Sequence, residues 1–525
     1  MRRDTKYLEA NSIPLAQLAQ LPFRTYRTSS ASHMPYESSI WELAVILFDE
    51  PNFSAYNLSS SEAGKYEARI RKDQLRRFWT QLCREDSQRA ANESASHEER
   101  AIAYLSAYLK EEACEALSKG GNHRLASLVA QVGGNTSVQD IISSQLSAWR
   151  DLNVLSEMSE PIRAIYSLVA GKTCLCEGKK AQHIEDKART FAISERFTLD
   201  WRRAFGLRLF YGLKTNEPLE TAITAFMEDM ESEEPARPEG DVLYTLLRLY
   251  AAAKSSQPLP DLRDILLPQQ GFSSAIGPRL SFQLFSALRP WFPSIGDPNA
   301  ADTAIKTFAV QLDSAGEWLW AVFVVLHITR ANDRDQSLRA ILCHHAKDVT
   351  ADPPFQSSEA WQVLKDEFKI PATWIWQAKA SYARLAEGDR VREATYLIRG
   401  SQEKEAHEVL QQVVGPQCVI GEEWSQLQGL LEAFKSCKDR IVGWSLGGQL
   451  YSDYLRLLLG RDEGKNKGNA VRDLLSSLKG LLDDTEQQAR GRDEGDRELF
   501  LQSVALQEMI RTVSNEILAL REKVH

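Results

Sequence analysis

The stretch "EGDRVREATYLIRGSQEKEAHEVLQQVVG" (residues 387–415) decides the fold class. Val391, Ala394, Leu397 and Ile398 recur at helical spacing, and Gly400 ends that stripe. After a few polar residues, Ala406, Val409, Leu410 and Val413 form a second stripe. Each set lies on one face of an amphipathic helix, so the segment reads as two helices joined by a brief turn. The same pattern continues upstream. Trp201, Phe205 and Leu209 fall at i, i+4, i+8, and Ile102, Leu105, Tyr108 and Leu109 at i, i+3, i+6, i+7. The breaks are short and carry helix-ending residues, as in "SKGGN" (118–122) and "RGSQ" (399–402). Alternating β-branched patterns are scarce. The expected fold is all-α, an irregular α-solenoid of roughly twenty helices with no fixed repeat length.

Composition narrows the class further. The chain has 525 residues, a net charge of −9, 43% hydrophobic and 26% charged residues, the balance of a soluble protein with a sizeable core. The two signs of charge are mixed, so no basic stripe marks a nucleic-acid surface. Seven cysteines are too sparse for a disulfide framework. The longest apolar run, "WLWAVFVVLHI" (318–328), is far short of a bilayer span and reads as a buried helix. Four stretches read as mobile: residues 1–35, "ESEEPARPEGD" (231–241), "RDEGKNKGN" (461–469) and "ARGRDEGDRE" (489–498).

Candidate chemistry is thin. "GWSLG" (443–447) spells the G-x-S-x-G of a hydrolase nucleophile elbow. That elbow needs a preceding strand and a histidine later in the chain, yet its surroundings read as helical and only His525 follows Ser445. The expected reading is a glycine-bearing stretch in or beside a helix, where close packing needs small residues. "AGKT" (170–173) lacks the phosphate-loop glycine, with Tyr166 in its place. Cys174 and Cys176, and Cys343, His344 and His345, have no nearby partner pair that would complete a zinc site, and adjacent histidines on a helix point different ways. No catalytic, cofactor or metal residues are therefore expected. Trp318, Trp320, Trp374 and Trp376 form two i, i+2 pairs, with one member of each pair expected to face outward.

Several segments carry a family resemblance. "IWELAVILFDE" (40–50), "LSEMSEPIRAIYSLVAGK" (155–172), "LDWRRAFGLRLFYG" (199–212) and above all "IPATWIWQAKASYARLAEGDRVREATYLIRGSQEKEAHEVLQQVVGPQCVI" (370–420) resemble, in order and spacing, the scaffold domain of a nucleoporin family. This is the family of C-terminal products of a self-cleaving precursor, related to the ancestral coatomer elements. The similarity runs from about residue 36 to about 460.

The resemblance implies a helical domain folded back on itself as trunk, crown and tail. After a flexible segment 1–35, the trunk combines 36–119 and 296–400, the crown covers 120–295, and the tail 401–525. It implies a scaffold role in the Y-shaped outer-ring complex of the nuclear pore. A vesicle-coat scaffold of the same wider family is the alternative. A nucleoporin of the eighty-four or one-oh-seven type would dock on the crown, and hub nucleoporins of the one-twenty and eighty-five type on the tail. The family also gives a three-stranded blade to a Sec-thirteen-type β-propeller. Residues 1–35 read as too short and strand-poor to supply that blade. On the crown, Trp201, Phe205 and Leu209 are expected in the core. Arg202, Arg203 and Arg208 are then expected at the flank or surface, as candidate partner-interface residues.

Overall fold

The computed structural model describes residues 1–10, 13–29, 35–53, 60–132, 136–180, 183, 186–214, 217–232, 240–255, 258–260, 262, 277–293, 297–349, 358–460, 467–490 and 497–522. Nearly all regular structure among them is helical, as the apolar stripes predict. The chain forms two compact units, one of Leu18–Ala304 and the other of Met1–Gln17 with Ile305–His525. Their boundary lies near the expected end of the crown at 295, but the expected trunk is divided between them.

In Leu18–Ala304 much of the core is supplied by three helices that meet at Pro35–Phe48. Pro35–Phe48 buries Ile40, Trp41, Leu43, Ala44 and Leu47, an apolar face too wide to remain in water. It packs against Val242–Ser255 and the 34-residue helix Ser60–Glu93. That long helix is polar overall but buries Leu75, Phe78, Trp79 and Cys83, a stripe at i, i+3, i+4, i+8. Asp49 receives the backbone N–H of Phe23 at 2.7 Å and of Arg24 at 2.9 Å, which anchors the start of helix Arg24–Ser29. Phe23 itself is buried against Phe48 and Trp291.

The other unit corrects the expectation of a flexible, strand-poor N-terminus. Strands Thr5–Ala10 and Ile13–Leu18 pair in a two-stranded sheet. The second buries alternate residues, including Pro14 and Ala16, and the Ala16 N–H donates to the Leu326 carbonyl at 2.9 Å. Arg334, also buried, donates from Nε to the Pro14 carbonyl at 2.7 Å and from Nη1 to the Ile328 carbonyl at 2.6 Å. Arg2 pairs with Glu367 and lies 5.1 Å from the centroids of the Trp320 and Phe368 rings. The strand's inward side chains are Pro14, Ala16 and Leu18, and Ile13 and Leu15 on the other face are apolar as well, so its alternation is faint in the sequence.

Residues 387–415 fold as two helical pieces with a brief turn. Asp389 caps Arg390–Arg399 by accepting the Arg392 N–H at 2.9 Å, and Ala394 and Leu397 face inward. Gly400 ends the helix, but the left-handed turn is taken by Ser401, at φ 58°. The second piece is Glu403–Val409 continued by the wider turn Leu410–Val414, with Ala406, Leu410 and Val413 buried. A continuous core runs from here through Leu427 and Phe434 to Leu478, Leu506, Met509 and Val513. The final helices Lys467–Arg490 and Arg497–Glu522 pack against each other along these stripes. The segments 461–466 and 491–496, within two of the stretches read as mobile, lie outside the described residues.

Candidate functional site

In the segment 199–212, assigned above by resemblance to the expected crown, Asp200 stands just before the helix. Its carboxylate accepts the Arg203 N–H and so caps helix Trp201–Leu207. Phe205 and Leu209 are fully buried, as expected, and Trp201 is half-buried between Trp79 and Tyr244. Each of the three arginines is also only half-exposed, and each has a carboxylate within the chain. Arg202 Nη2 donates to Asp241 Oδ2 at 2.8 Å, and Arg203 Nε to Asp200 Oδ1 at 2.7 Å. Arg208 Nη1 lies 3.6 Å from Asp229 Oδ2. All three thus lie at the flank of the buried face, each with an internal carboxylate partner.

Asp241 is the residue that sequence reasoning missed. It ends the stretch 231–241 that reads as mobile; residues 233–239 of that stretch lie outside the described residues. Its carboxylate collects the Tyr36 hydroxyl at 3.0 Å, the Trp201 indole N–H at 3.1 Å, the Leu243 N–H at 2.9 Å and Arg202. The Leu243 bond makes it the N-cap of Val242–Ser255. A carboxylate just before an apolar helix was the available signal.

Ser445 sits exposed in a single 3₁₀ turn, Trp444–Leu446, with another 3₁₀ turn before it at Lys438–Arg440, so the strand of an elbow is missing. The glycines have packing explanations. Gly443 has φ 83°. A Cβ on Gly447 would lie 2.5 Å from His407 Nε2, and one on Gly448 would lie 2.2 Å from the Trp444 ring. His407 is buried, and its Nε2 accepts the Gly448 N–H at 3.0 Å, which satisfies an orphan donor at the start of helix Gly448–Leu458. Among the described residues His407 is the histidine shown in contact with this turn, and it is occupied as an acceptor. Ser445→Ala is expected to leave stability unchanged within ~0.5 kcal/mol. Gly448→Ala should cost ~2 kcal/mol through overpacking. Chemical denaturation of both variants checks the contrast, and equal effects would refute it.

The same histidine predicts a pH dependence. Burial pushes its pKa below the ordinary value of 6.5. Acceptance at Nε2 also requires the neutral ring. The unfolded chain therefore binds this proton more readily, so stability rises with pH across the window below 6.5. His407's contribution should be complete above that window and lost as pH falls through it. Midpoints of denaturation between pH 7 and pH 5 should drop less in His407→Gln than in the parent; parallel curves would exclude this origin.

"AGKT" is a helix end. Gly171 has φ 80°, its N–H bonds to the Leu168 carbonyl at 3.0 Å and the Lys172 N–H to the Ser167 carbonyl at 2.8 Å, the paired bonds of a Schellman stop after Glu160–Val169. Lys172 faces Glu177 rather than an open anion site. Cys176 is buried, with the Ser167 hydroxyl 3.5 Å from its sulfur. The adjacent histidines divide into one exposed and one largely covered, the surface-and-core arrangement expected of neighbours, but they do not point apart, because both reach Asp313. His345 Nε2 is 2.6 Å from Asp313 Oδ1 and His344 Nδ1 is 3.4 Å from Oδ2. His344 is the last residue of helix Ala331–His344 and His345 lies beyond it, so helical spacing no longer separates their directions. Cys343 is not in this group; its thiol meets Ser381, and burial pushes its pKa up. Of the tryptophans, Trp320 is exposed, whereas Trp318, Trp374 and Trp376 are half-buried; Arg339 covers Trp374 and Arg399 covers Trp376.

No helix among the described residues is long and apolar enough to cross a membrane. The family model for Nup96, nuclear protein 96, matches residues 99–382. Nucleoporin NUP145 of Chaetomium thermophilum is 32% identical over 431 residues, covering 82% of this chain and 22% of that protein. Nucleoporin nup189 of Schizosaccharomyces pombe is 29% identical over 466 residues, covering 83% and 25%. Nuclear pore complex protein NUP96 of Arabidopsis thaliana is 26% identical over 373 residues, covering 65% and 32%. The chain thus spans a quarter or less of the two fungal relatives. With over half of its residues inside the family match, this largely helical chain belongs to the Nup96 family of nucleoporins.

Proposed function

We propose that this chain is a structural scaffold component of the nuclear pore complex, in the Y-shaped outer ring, supporting pore assembly and so the transport of protein and mRNA. The observation that carries the reading is the family match across residues 99–382. The relatives described above are named as nucleoporins or nuclear pore complex proteins, and they lend no support to the vesicle-coat alternative. The role is one of binding rather than catalysis, in keeping with a turn at Ser445 whose neighbouring histidine serves as a helix cap. A solenoid offers a large surface for such binding.

The crown, 120–295, is the dock for a nucleoporin of the eighty-four or one-oh-seven type, and the tail, 401–525, joins hub nucleoporins of the one-twenty and eighty-five type. The crown anchors are better sought among exposed apolar side chains than among Arg202, Arg203 and Arg208. Ile141, Leu152 and Leu175 are exposed there, as are Val442, Leu446 and Phe500 on the tail. Interface energy concentrates in a few side chains that become fully desolvated, and apolar groups left open to solvent gain most from that burial. The two strands within residues 5–18 are one fewer than the family's propeller-binding blade, and propeller docking is not part of this reading.

Tagged at its own locus, the protein should mark the nuclear rim; cytoplasmic coat puncta would overturn the reading. In vitro, Ile141→Glu with Leu152→Glu should leave the circular dichroism spectrum unchanged. The same variant should weaken binding of the eighty-four-type nucleoporin by at least tenfold, about 1.4 kcal/mol. Unchanged affinity after deletion of the whole crown from a still-folded chain would show that the crown is not the dock.

A further inference from the structure

We propose that Asp313, His344 and His345 form a binding site for a divalent first-row transition metal, zinc foremost, that staples the end of helix Pro298–Ser314 to the end of helix Ala331–His344. One ligand atom from each residue already lies within 4.8 Å of the other two. The donor set is two imidazole nitrogens and one carboxylate oxygen, the chemistry that suits zinc and its neighbours rather than calcium or magnesium. Metal–ligand bonds of about 2.0–2.2 Å place tetrahedral ligand atoms about 3.3 Å apart. The His344 Nδ1 to Asp313 Oδ2 separation of 3.4 Å matches that spacing. His345 Nε2 meets the other carboxylate oxygen, Oδ1, at 2.6 Å, so this contact has to open and the carboxylate to turn as the ion enters.

A second, independent feature points the same way. Metal-bound imidazoles commonly give their other nitrogen to a carboxylate, which fixes tautomer and ring direction. Here His345 Nδ1 lies 3.2 Å from Asp348 Oδ2, while Nε2 is the atom facing the cluster. Trp318 stacks on the same ring, 4.9 Å between centroids and 5° from parallel, and so holds it from a third side. His345 is thus oriented before any ion arrives, with only 14% of its side chain exposed. His344 is 70% exposed, so the ion has an open approach and room for water as a further ligand. The rival arrangement has protons, not a metal, between the imidazoles and Asp313, and it makes the opposite prediction below.

The test uses the full chain, stripped with chelator, then titrated with zinc chloride by calorimetry and with cobalt(II) by visible absorption. One ion per chain is expected, with a cobalt spectrum of nitrogen–oxygen coordination. His344→Gln, whose exposed side chain can change without unfolding the chain, should weaken zinc binding at least tenfold. Asp348→Asn should weaken it by about tenfold through loss of ring positioning. Replacing Cys174, Cys176 and Cys343 by serine should leave affinity unchanged. The proposal is overturned if the parent chain takes up no stoichiometric zinc, as protons alone would have it. It is equally overturned if His344→Gln and Asp313→Asn, both folded by circular dichroism, bind zinc as tightly as the parent.

Discussion

Phe205→Ala is expected to lower the unfolding free energy of the unit Leu18–Ala304 by ~3–5 kcal/mol. The residue is fully buried, and its ring meets two others edge-on: Trp79 with centroids 4.7 Å apart at 74°, and Phe226 at 5.2 Å and 64°. Truncation removes the apolar area of the ring and leaves a cavity, because neither neighbour can follow it inward without losing other contacts. Trp79 is held by its indole N–H, which donates to the Arg202 carbonyl at 2.7 Å. The lost aromatic pairs add about 0.5–1.5 kcal/mol each to the ordinary cost of burial. Phe205→Leu should retain more than half of the stability, since it empties less space. Denaturation curves of purified variants, read by circular dichroism, give the answer. A loss under ~1 kcal/mol for Phe205→Ala would mean that the site collapses freely.

The fold class was legible because most helices carry a clear apolar stripe, and a stripe needs only local sequence. Phe205, Leu209, Ala394, Leu397 and Leu410 all fall inside as their spacing requires. Three kinds of feature were not legible. The N-terminal sheet hides its alternation because the outward Ile13 and Leu15 are as apolar as the inward Pro14, Ala16 and Leu18, and it depends on Arg334, 320 residues from Pro14. Arg202, Arg203 and Arg208 lie beside the apolar face, but periodicity says nothing about whether a carboxylate will meet them there. The histidine pair shows the same limit: helical spacing sets two side chains apart only while the helix lasts, and His345 lies past its end. Asp200 apart, which is three residues from Arg203, the deciding partners are remote in sequence, as Asp313 is from His345.

Asp241→Ala should be the most damaging change at a polar position in this unit, at ~3–4 kcal/mol. Four donors converge on the carboxylate, two on each oxygen: Tyr36 and the Leu243 N–H on Oδ1, Trp201 and Arg202 on Oδ2. Its side chain is only 14% exposed, so water can replace few of these bonds. Loss of the helix cap alone costs ~1 kcal/mol. Leaving the Arg202 guanidinium without its carboxylate adds ~1.5–3 kcal/mol, the usual worth of a hydrogen bond to a charged group. Arg202 also lies 5.7 Å from the centroids of the Tyr36 and Trp201 rings, so its release loosens the aromatic cluster around it. Asp241→Asn keeps an acceptor for the cap but not the charge, and should cost about half as much. The double variant Asp241→Ala with Arg202→Met should recover at least ~1 kcal/mol, because it also removes the uncompensated cation. Equilibrium denaturation of the three variants completes the cycle. An Asp241→Ala protein within ~0.5 kcal/mol of the parent would match a surface position without special contacts, as the charged, proline-bearing sequence around it had suggested, and would exclude the carboxylate as the hub of this cluster.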